Sequence, residues 1–311
     1  MNKFIRPLSS ATALVLTLSS AFAETAVTLK QQWQPGKRYL QTMKMDQSTK
    51  MKIGDIPMDQ KMSMSANTSM AITKLPDGKR KRLALKYEHL LVDTDMGGQK
   101  MKIDSDKPDA TAPGGNAFAA IVGKEIRAII DADDKVTEFE NLDEIVGATA
   151  GNPMASGILN KETLNTMINQ SALQALPGKP VKAGDSWPFN IDVPMPQMGK
   201  VSIKGTYTYK GTVPHNGVPC AEIAVAGSIT STPDAAGAKN ANPLAALGMK
   251  MESGSMKGTV WFDNALGTAR SSEMNQEMNM SMNNPLNPGD VIKIPVKQVV
   301  SVELTSVEEI K

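Results

Sequence analysis

The side chains of this sequence that can do chemistry are few, and the commonest of them are thioethers. Methionine occurs 21 times, whereas aromatic residues make up only 4% of the chain. Many of the methionines stand two apart, as in Met43-Lys44-Met45, Met62-Ser63-Met64 and Met278-Asn279-Met280-Ser281-Met282. Residues two apart share one face of a β-strand, so these sulfurs point the same way. Soft thioethers select Cu(I) or Ag(I), with His89 as a possible imidazole partner. Unbranched thioethers also line buried faces and adaptable apolar sites. The methionines spread along strands instead of gathering at one point, which favours the apolar use. The candidate ligand-binding residues are therefore Met43, Met45, Met58, Met62, Met64, Met70, Met274, Met278, Met280 and Met282. No metal set and no cofactor is assigned.

The other reactive types point away from catalysis. There are two histidines, His89 and His215, with no H-x-x-x-H, C-x-x-C or acidic calcium-loop spacing. Cys220, the single cysteine, follows His215 across an expected hairpin, and that pair alone offers too few ligands. Gly184-Asp185-Ser186 matches the wording of a hydrolase G-D-S motif, but a serine nucleophile needs a histidine base. No histidine follows His215, so Gly184 and Asp185 read as turn residues and Trp187 as a core anchor. The chain is expected not to be an enzyme, with a hydrolase as the third reading behind Cu(I)/Ag(I) binding.

Strands must position these side chains. Tyr39, Met43, Met45, Met51 and Ile53 alternate with polar residues; after a turn at Gly54-Asp55-Ile56-Pro57, Met58, Met62, Met64, Ala66, Met70 and Ile72 do the same. Together they predict a long hairpin with a methionine face. Leu83, Leu85, Tyr87, His89 and Leu91 continue the alternation, and Ile126, Ala128 and Ile130 open a second hairpin around Asp133-Asp134. Lys79-Arg80-Lys81-Arg82 follows the Asp77-Gly78 turn and reads as the solvated end of a hairpin. Helical spacing is confined to about Asn160 to Leu176, where Leu164, Met167, Ile168, Ala172, Ala175 and Leu176 share a face. Beyond it, Val201 to Tyr209 and Ile223 to Ile229 flank Asn216-Gly217, a strong hairpin signal. Pro233 to Gly258 reads as a long loop. Met274 to Met282 repeats the methionine stripe, and Ile292 to Leu304 closes the series, its Pro295 expected at an edge or bulge.

Residues 1–23 read as a signal peptide, with Lys3 and Arg6 before the apolar Ala11–Leu18 and a cleavage site at Ala21-Phe22-Ala23. Removing Lys3 and Arg6 leaves 32 basic and 32 acidic side chains. A neutral chain has no field to steer nucleic acid, and no stretch has the roughly 20 apolar residues a membrane-spanning helix needs. One cysteine forms no internal disulfide, so stability must come from burial. The expected product is periplasmic or secreted.

Leu176-Pro177-Gly178-Lys179-Pro180-Val181-Lys182-Ala183-Gly184-Asp185-Ser186-Trp187, with Trp33-Gln34-Pro35-Gly36-Lys37-Arg38-Tyr39 and Asp104-Ser105, resembles a family of exported bacterial proteins known only as a domain of unknown function, of the 6263 type. The resemblance implies export and a β-rich architecture, and supplies no catalytic or ligand residues. The expected fold is α+β and mostly antiparallel: an N-terminal β-rich half over 24–140, a helical connector over 141–176 and a C-terminal half over 177–311, two curved or twisted halves and a weak self-similarity between them. The expected function is non-catalytic binding or shielding of an apolar small molecule, a lipid or a lipidated envelope protein on the methionine face.

Overall fold

The computed structural model describes residues 26–53, 56–107, 122–148, 176–195, 199–232, 248–284, 287 and 289–310. Their elements are β1 (Val27–Thr28), β2 (Lys37–Ile53), β3 (Ile56–Lys74), β4 (Lys81–Met96), β5 (Gln99–Asp104), β6 (Glu125–Ile130), β7 (Val136–Phe139), α1 (Leu142–Ala148), β8 (Pro180–Val181), β9 (Ser186–Met195), β10 (Gly199–His215), β11 (Val218–Thr232), β12 (Lys250–Asp263), β13 (Thr268–Asn283) and β14 (Val291–Glu309). Twelve of the strands make one antiparallel sheet in the order β7-β6-β4-β3-β2-β14-β13-β12-β11-β10-β9, with β5 also paired to β4, while β1 and β8 pair with each other.

This corrects the α+β expectation. The described chain is nearly all antiparallel β, and its two parts meet strand against strand, β14 pairing with β2 from Val296↔Thr49 to Glu309↔Lys37. A continuous backbone ladder performs the joining assigned to a helix. The helical spacing from Asn160 falls, apart from Leu176, outside the described residues. The described helix, α1, packs Leu142 and Ile145 on Ile126 of β6. Asn141 ties its start to β6, accepting from Arg127 N at 2.8 Å and donating to Glu125 O at 2.7 Å.

Local sequence explains the register. The β2–β3 hairpin pairs Met45 with Met64 and Met51 with Met58, as the alternation predicts. Asn216 and Gly217 both take positive φ between β10 and β11, as a two-residue hairpin turn requires. Three other expectations change. In β4 an extra residue, Glu88, lies between the pairs Asn67↔His89 and Thr68↔Tyr87, so the inward face passes from Leu83, Leu85 and Tyr87 to Leu90, Val92 and Thr94. His89 is thereby turned to the opposite face from the methionines. Lys250–Gly258 belongs to β12 and not to a loop; the bulge at Glu252 and inward Gly254 and Gly258 hide its period. Pro295 stands in β14, a central strand, and its effect is to end pairing: the ladder to β2 stops at Val296.

The sheet is curled. Gln32 N donates to Gly267 O in the β12–β13 turn at 2.8 Å, and Trp33 N donates to Asp134 Oδ2 in the β6–β7 turn at 3.1 Å. The nearest strands of those turns, β6 and β13, are five strand spacings apart, roughly 24 Å in a flat sheet, yet two adjacent residues hold both turns. Leu29, just before them, joins the cluster of Val181, Trp187, Phe189, Tyr207, Tyr209 and Phe262. Residues 27–34 therefore form a strap across one end of the inner face. An ion pair and a hydrogen bond fix it: Lys81 meets the buried Asp134 and donates to Trp33 O, so Lys81 is an internal strut and not part of a solvated basic tip. The two turns are built alike, Asp131 Oδ1 accepting from Asp133 N and Lys135 N as Asp263 Oδ1 accepts from Ala265 N and Leu266 N.

Candidate functional site

The register places all ten candidate methionines on the inner face of four adjacent strands. On β2, Met43 pairs with Val302 of β14 and Met45 with Val300; on β13, Met274 pairs with Val300, Met278 with Val296, Met280 with Ile294 and Met282 with Ile292. On β3, Met58, Met62, Met64 and Met70 lie opposite Met51, Gln47, Met45 and Tyr39. Stripes more than 200 residues apart in sequence thus become one surface because β14 is inserted between β2 and β13. Met51, Met101, Met251 and Met256, absent from the sequence-level set, join this face. Met251 was hidden because its strand is bulged at Glu252.

Burial divides the face along the strands. Met274 is buried, and the other nine candidates are half-buried. Met43, Met62 and Met64 pack with Ala66, Leu90, Val92 and Ile103; Met278, Met280 and Met282 pack with Ile292, Ile294 and Val296. Met70 sits nearer the strapped end with Tyr39, Ile72, Leu83 and Leu304.

From Tyr39 to Met51, Met58 to Ile72, Ile292 to Leu304 and Ser272 to Met282, the inward positions carry no Asp, Glu, Lys, Arg or His. The polar groups there are neutral. Gln276, Gln298 and Gln47 form a row across β13, β14 and β2, and Gln298 Nε2 donates to Met45 Sδ. Charged residues such as Lys44, Asp46, Lys61, Glu277 and Lys297 occupy the alternate, outward positions.

Inward glycines let this surface bend. A Cβ on Gly258 would lie 2.1 Å from Glu273 O and 2.4 Å from Met274 Sδ, and one on Gly205 would lie 2.6 Å from the Phe189 ring. Phe189 and Met274 thus cover backbone left bare in β10 and β12.

The other candidate chemistry is dispersed. Ser186 Oγ pairs with Thr208 Oγ1 at 2.9 Å, and Asp185 Oδ2 accepts from Lys182 N at 2.8 Å, which makes a turn of the G-D-S stretch. His215 Nε2 meets Ser271 Oγ at 2.8 Å and its ring stacks on Trp261. Cys220 is buried, and burial followed by the Asp263 charge pushes its thiol pKa up, away from the thiolate a metal needs. His89 bonds Asp104 at 3.2 Å on the outer face and lies 3.6 Å from Asp106, so it brings no imidazole to the methionines. With Asp104 and Asp106 it is the group among the described residues whose donor atoms could converge on a metal ion, a grouping that sequence spacing did not reveal.

The model of a family of unknown function, DUF6263, matches residues 78–269. The chain belongs to this family. No curated relative matches its sequence. Among solved structures it is similar to lipovitellin, studied for its lipid–protein interactions, at 9% identity and a TM-score of 0.48, covering 90% of this chain and 26% of that one. A domain from Vibrio parahaemolyticus assigned to outer-membrane lipoprotein sorting aligns at 8% identity and a TM-score of 0.18, covering 88% and 85% of the two chains. A DUF1329 family protein from Desulfovibrio piger aligns at 7% identity and 0.18, covering 86% and 85%. The chain spans about a quarter of the lipovitellin length, and all three likenesses are too distant to carry a function to it. Among the described residues no helix is long and apolar enough to cross a membrane.

Proposed function

We propose that this DUF6263 protein is an exported, non-catalytic binder that shields the hydrocarbon part of a lipid or lipidated partner on its methionine face. The observation that carries the reading is a half-exposed inner surface, four strands wide, free of charged side chains and lined by thioethers. Burying a charge there without a partner is costly, so the surface suits uncharged hydrocarbon. Methionine repacks around chains of differing shape at little cost, which suits a ligand class better than one rigid molecule. The Gln276-Gln298-Gln47 row adds neutral donors and acceptors able to meet ester or amide groups. Export is supported by the Lys3/Arg6, Ala11–Leu18 and Ala21-x-Ala23 pattern.

The test is titration of the purified chain with monoolein, a neutral single-chain lipid, beside native mass spectrometry of protein from its own envelope. Binding should be lost in Met45→Lys with Met278→Lys and kept in Ser63→Lys, whose side chain lies on the outer face. Absence of any organic ligand together with no monoolein binding would sink the reading. Stoichiometric Cu(I) uptake, lost when Met278, Met280 and Met282 become Leu together, would replace it.

A further inference from the structure

We propose that a cleft between the parted ends of β2 and β14 holds the phosphate headgroup of an anionic phospholipid whose chain lies on the methionine face; this rests on the function proposed above and names the ligand's polar end. The β2–β14 ladder stops at Thr49↔Val296, although β2 runs on to Ile53 and β14 begins at Val291. Continued in register, it would require an N–H that Pro295 lacks, and it would set Lys52 directly opposite Lys293. The strands part instead, and a cleft of about 490 Å³ opens between them.

Its lining joins the two faces of the sheet. Lys50, Lys52 and Lys293 come from the outer face, and Met51 and Ile292 from the inner one. Met51 packs against the cluster of Ile292, Ile294 and Val296 that also holds Met278, Met280 and Met282, so the cleft opens onto the apolar surface. Among the described lining residues Asp59 is the single acid against three exposed lysines, and no described ion pair engages any of the three. Lys52 and Lys293 face each other across the wedge while Lys50 stands opposite Asp59, so the cleft offers an anion an excess of positive charge. Lysine is a common point-charge partner for phosphate. The inner face refuses charge and the cleft supplies it, so an amphiphile is accommodated with its head at the rim and its tail inside.

The experiment is calorimetric titration of the mature chain, at low salt and below micellar concentrations, with 1-oleoyl-lysophosphatidylglycerol, monoolein, oleate and inorganic phosphate, repeated for K50Q/K52Q/K293Q and for K50R/K52R/K293R. Lysophosphatidylglycerol should bind about 10-fold or more tightly than monoolein, given the attraction of each nearby lysine for an anionic headgroup. That margin should shrink as salt rises, vanish in the Gln variant and persist in the Arg variant. Oleate and inorganic phosphate, lacking the phosphate or the chain, should each bind more weakly than lysophosphatidylglycerol. Equal affinity for lysophosphatidylglycerol and monoolein, or a margin that survives in the Gln variant, overturns the cleft while leaving the apolar face standing. Oleate binding more tightly than lysophosphatidylglycerol, or inorganic phosphate binding as tightly, overturns the phospholipid assignment. Failure of monoolein and lysophosphatidylglycerol alike overturns both readings. Equal melting temperatures for wild type and variants would show that the fold is intact, as expected for three exposed lysines.

Discussion

The strapped end of the sheet and its methionine end belong to one continuous sheet but are filled in different ways. At the strapped end Trp33 meets Tyr39 edge-on with ring centroids 5.2 Å apart, Phe189 meets Tyr207 at 4.5 Å, and Tyr39, Tyr209 and Phe262 are almost wholly buried. Burial raises the pKa of Tyr207 and Tyr87, keeping both phenols neutral. At the other end the side chains are thioethers, most are half-exposed, and Met96 is 49% exposed. Rings fill space rigidly and lose little entropy on packing, whereas methionine keeps three rotatable bonds. One end is thus built for stability and the other for adaptability.

The largest effect that could break this contrast is removal of a ring. Phe262→Ala should cost about 3–5 kcal/mol, because a fully buried aromatic leaves a cavity. Met280→Ala, at a half-exposed position, should cost well under that in the same denaturant titration; equal losses would abolish the distinction between the ends. Next comes Gly258→Ala, whose new Cβ would collide with Glu273 O and Met274 Sδ. A loss of about 1–3 kcal/mol is expected from that overpacking, and no loss would show that curvature does not depend on bare backbone there.

Smaller effects sharpen the contrast within one strand. Met64→Lys should destabilise by about 1–2 kcal/mol, since Met64 is half-buried against Leu90 and Val92. Ser63→Lys, facing out beside Asp46, should shift stability by no more than about 0.5 kcal/mol, and equal melts for the two lysine variants would refute the register. Met64→Leu should cost less than about 1.5 kcal/mol, as a volume-conserving change does. The smallest effect is a pH dependence in the exposed β3–β4 turn, beside the strapped end. Asp77 accepts from the Arg80 and Lys79 backbone and from the Arg80 side chain, which lowers its pKa from 3.8 to about 2. A depressed carboxylate stabilises the fold above its unfolded pKa and loses that contribution as pH falls through the folded one. Melting temperatures of wild type and Asp77→Asn should therefore differ above about pH 4 and converge towards pH 2; a gap unchanged at pH 2 would contradict the assignment.

Much of the inner face was legible because period-2 alternation states which side chains share a side. It located the β2–β3 hairpin, the β10–β11 turn and all ten methionines without the topology. Alternation is blind to three other things. A bulge changes the phase within a strand, so Glu88 moved His89 away from the methionines and Glu252 concealed β12. Pairing between distant strands leaves no local trace, so the seam of β2 with β14, which corrects the α+β expectation, was not foreseen. Nor is a cleft made by strands failing to pair readable until both partners are known, although Pro295 carried half of the signal.

That seam also governs the order in which the molecule can be completed. β14 comes last in chain order among the described strands, and the strap at residues 27–34 grips a turn near Gly267. Central pairing and end closure both wait for contacts between opposite ends of the sequence. Such high contact order slows folding, because the loop-closure entropy is lost before the ladder forms. A chain whose middle has formed while β14 is absent presents an unpaired β2 edge beside a greasy sheet, which is an aggregation hazard. Pairing of the final strand with β2 is therefore the step that removes the hazard.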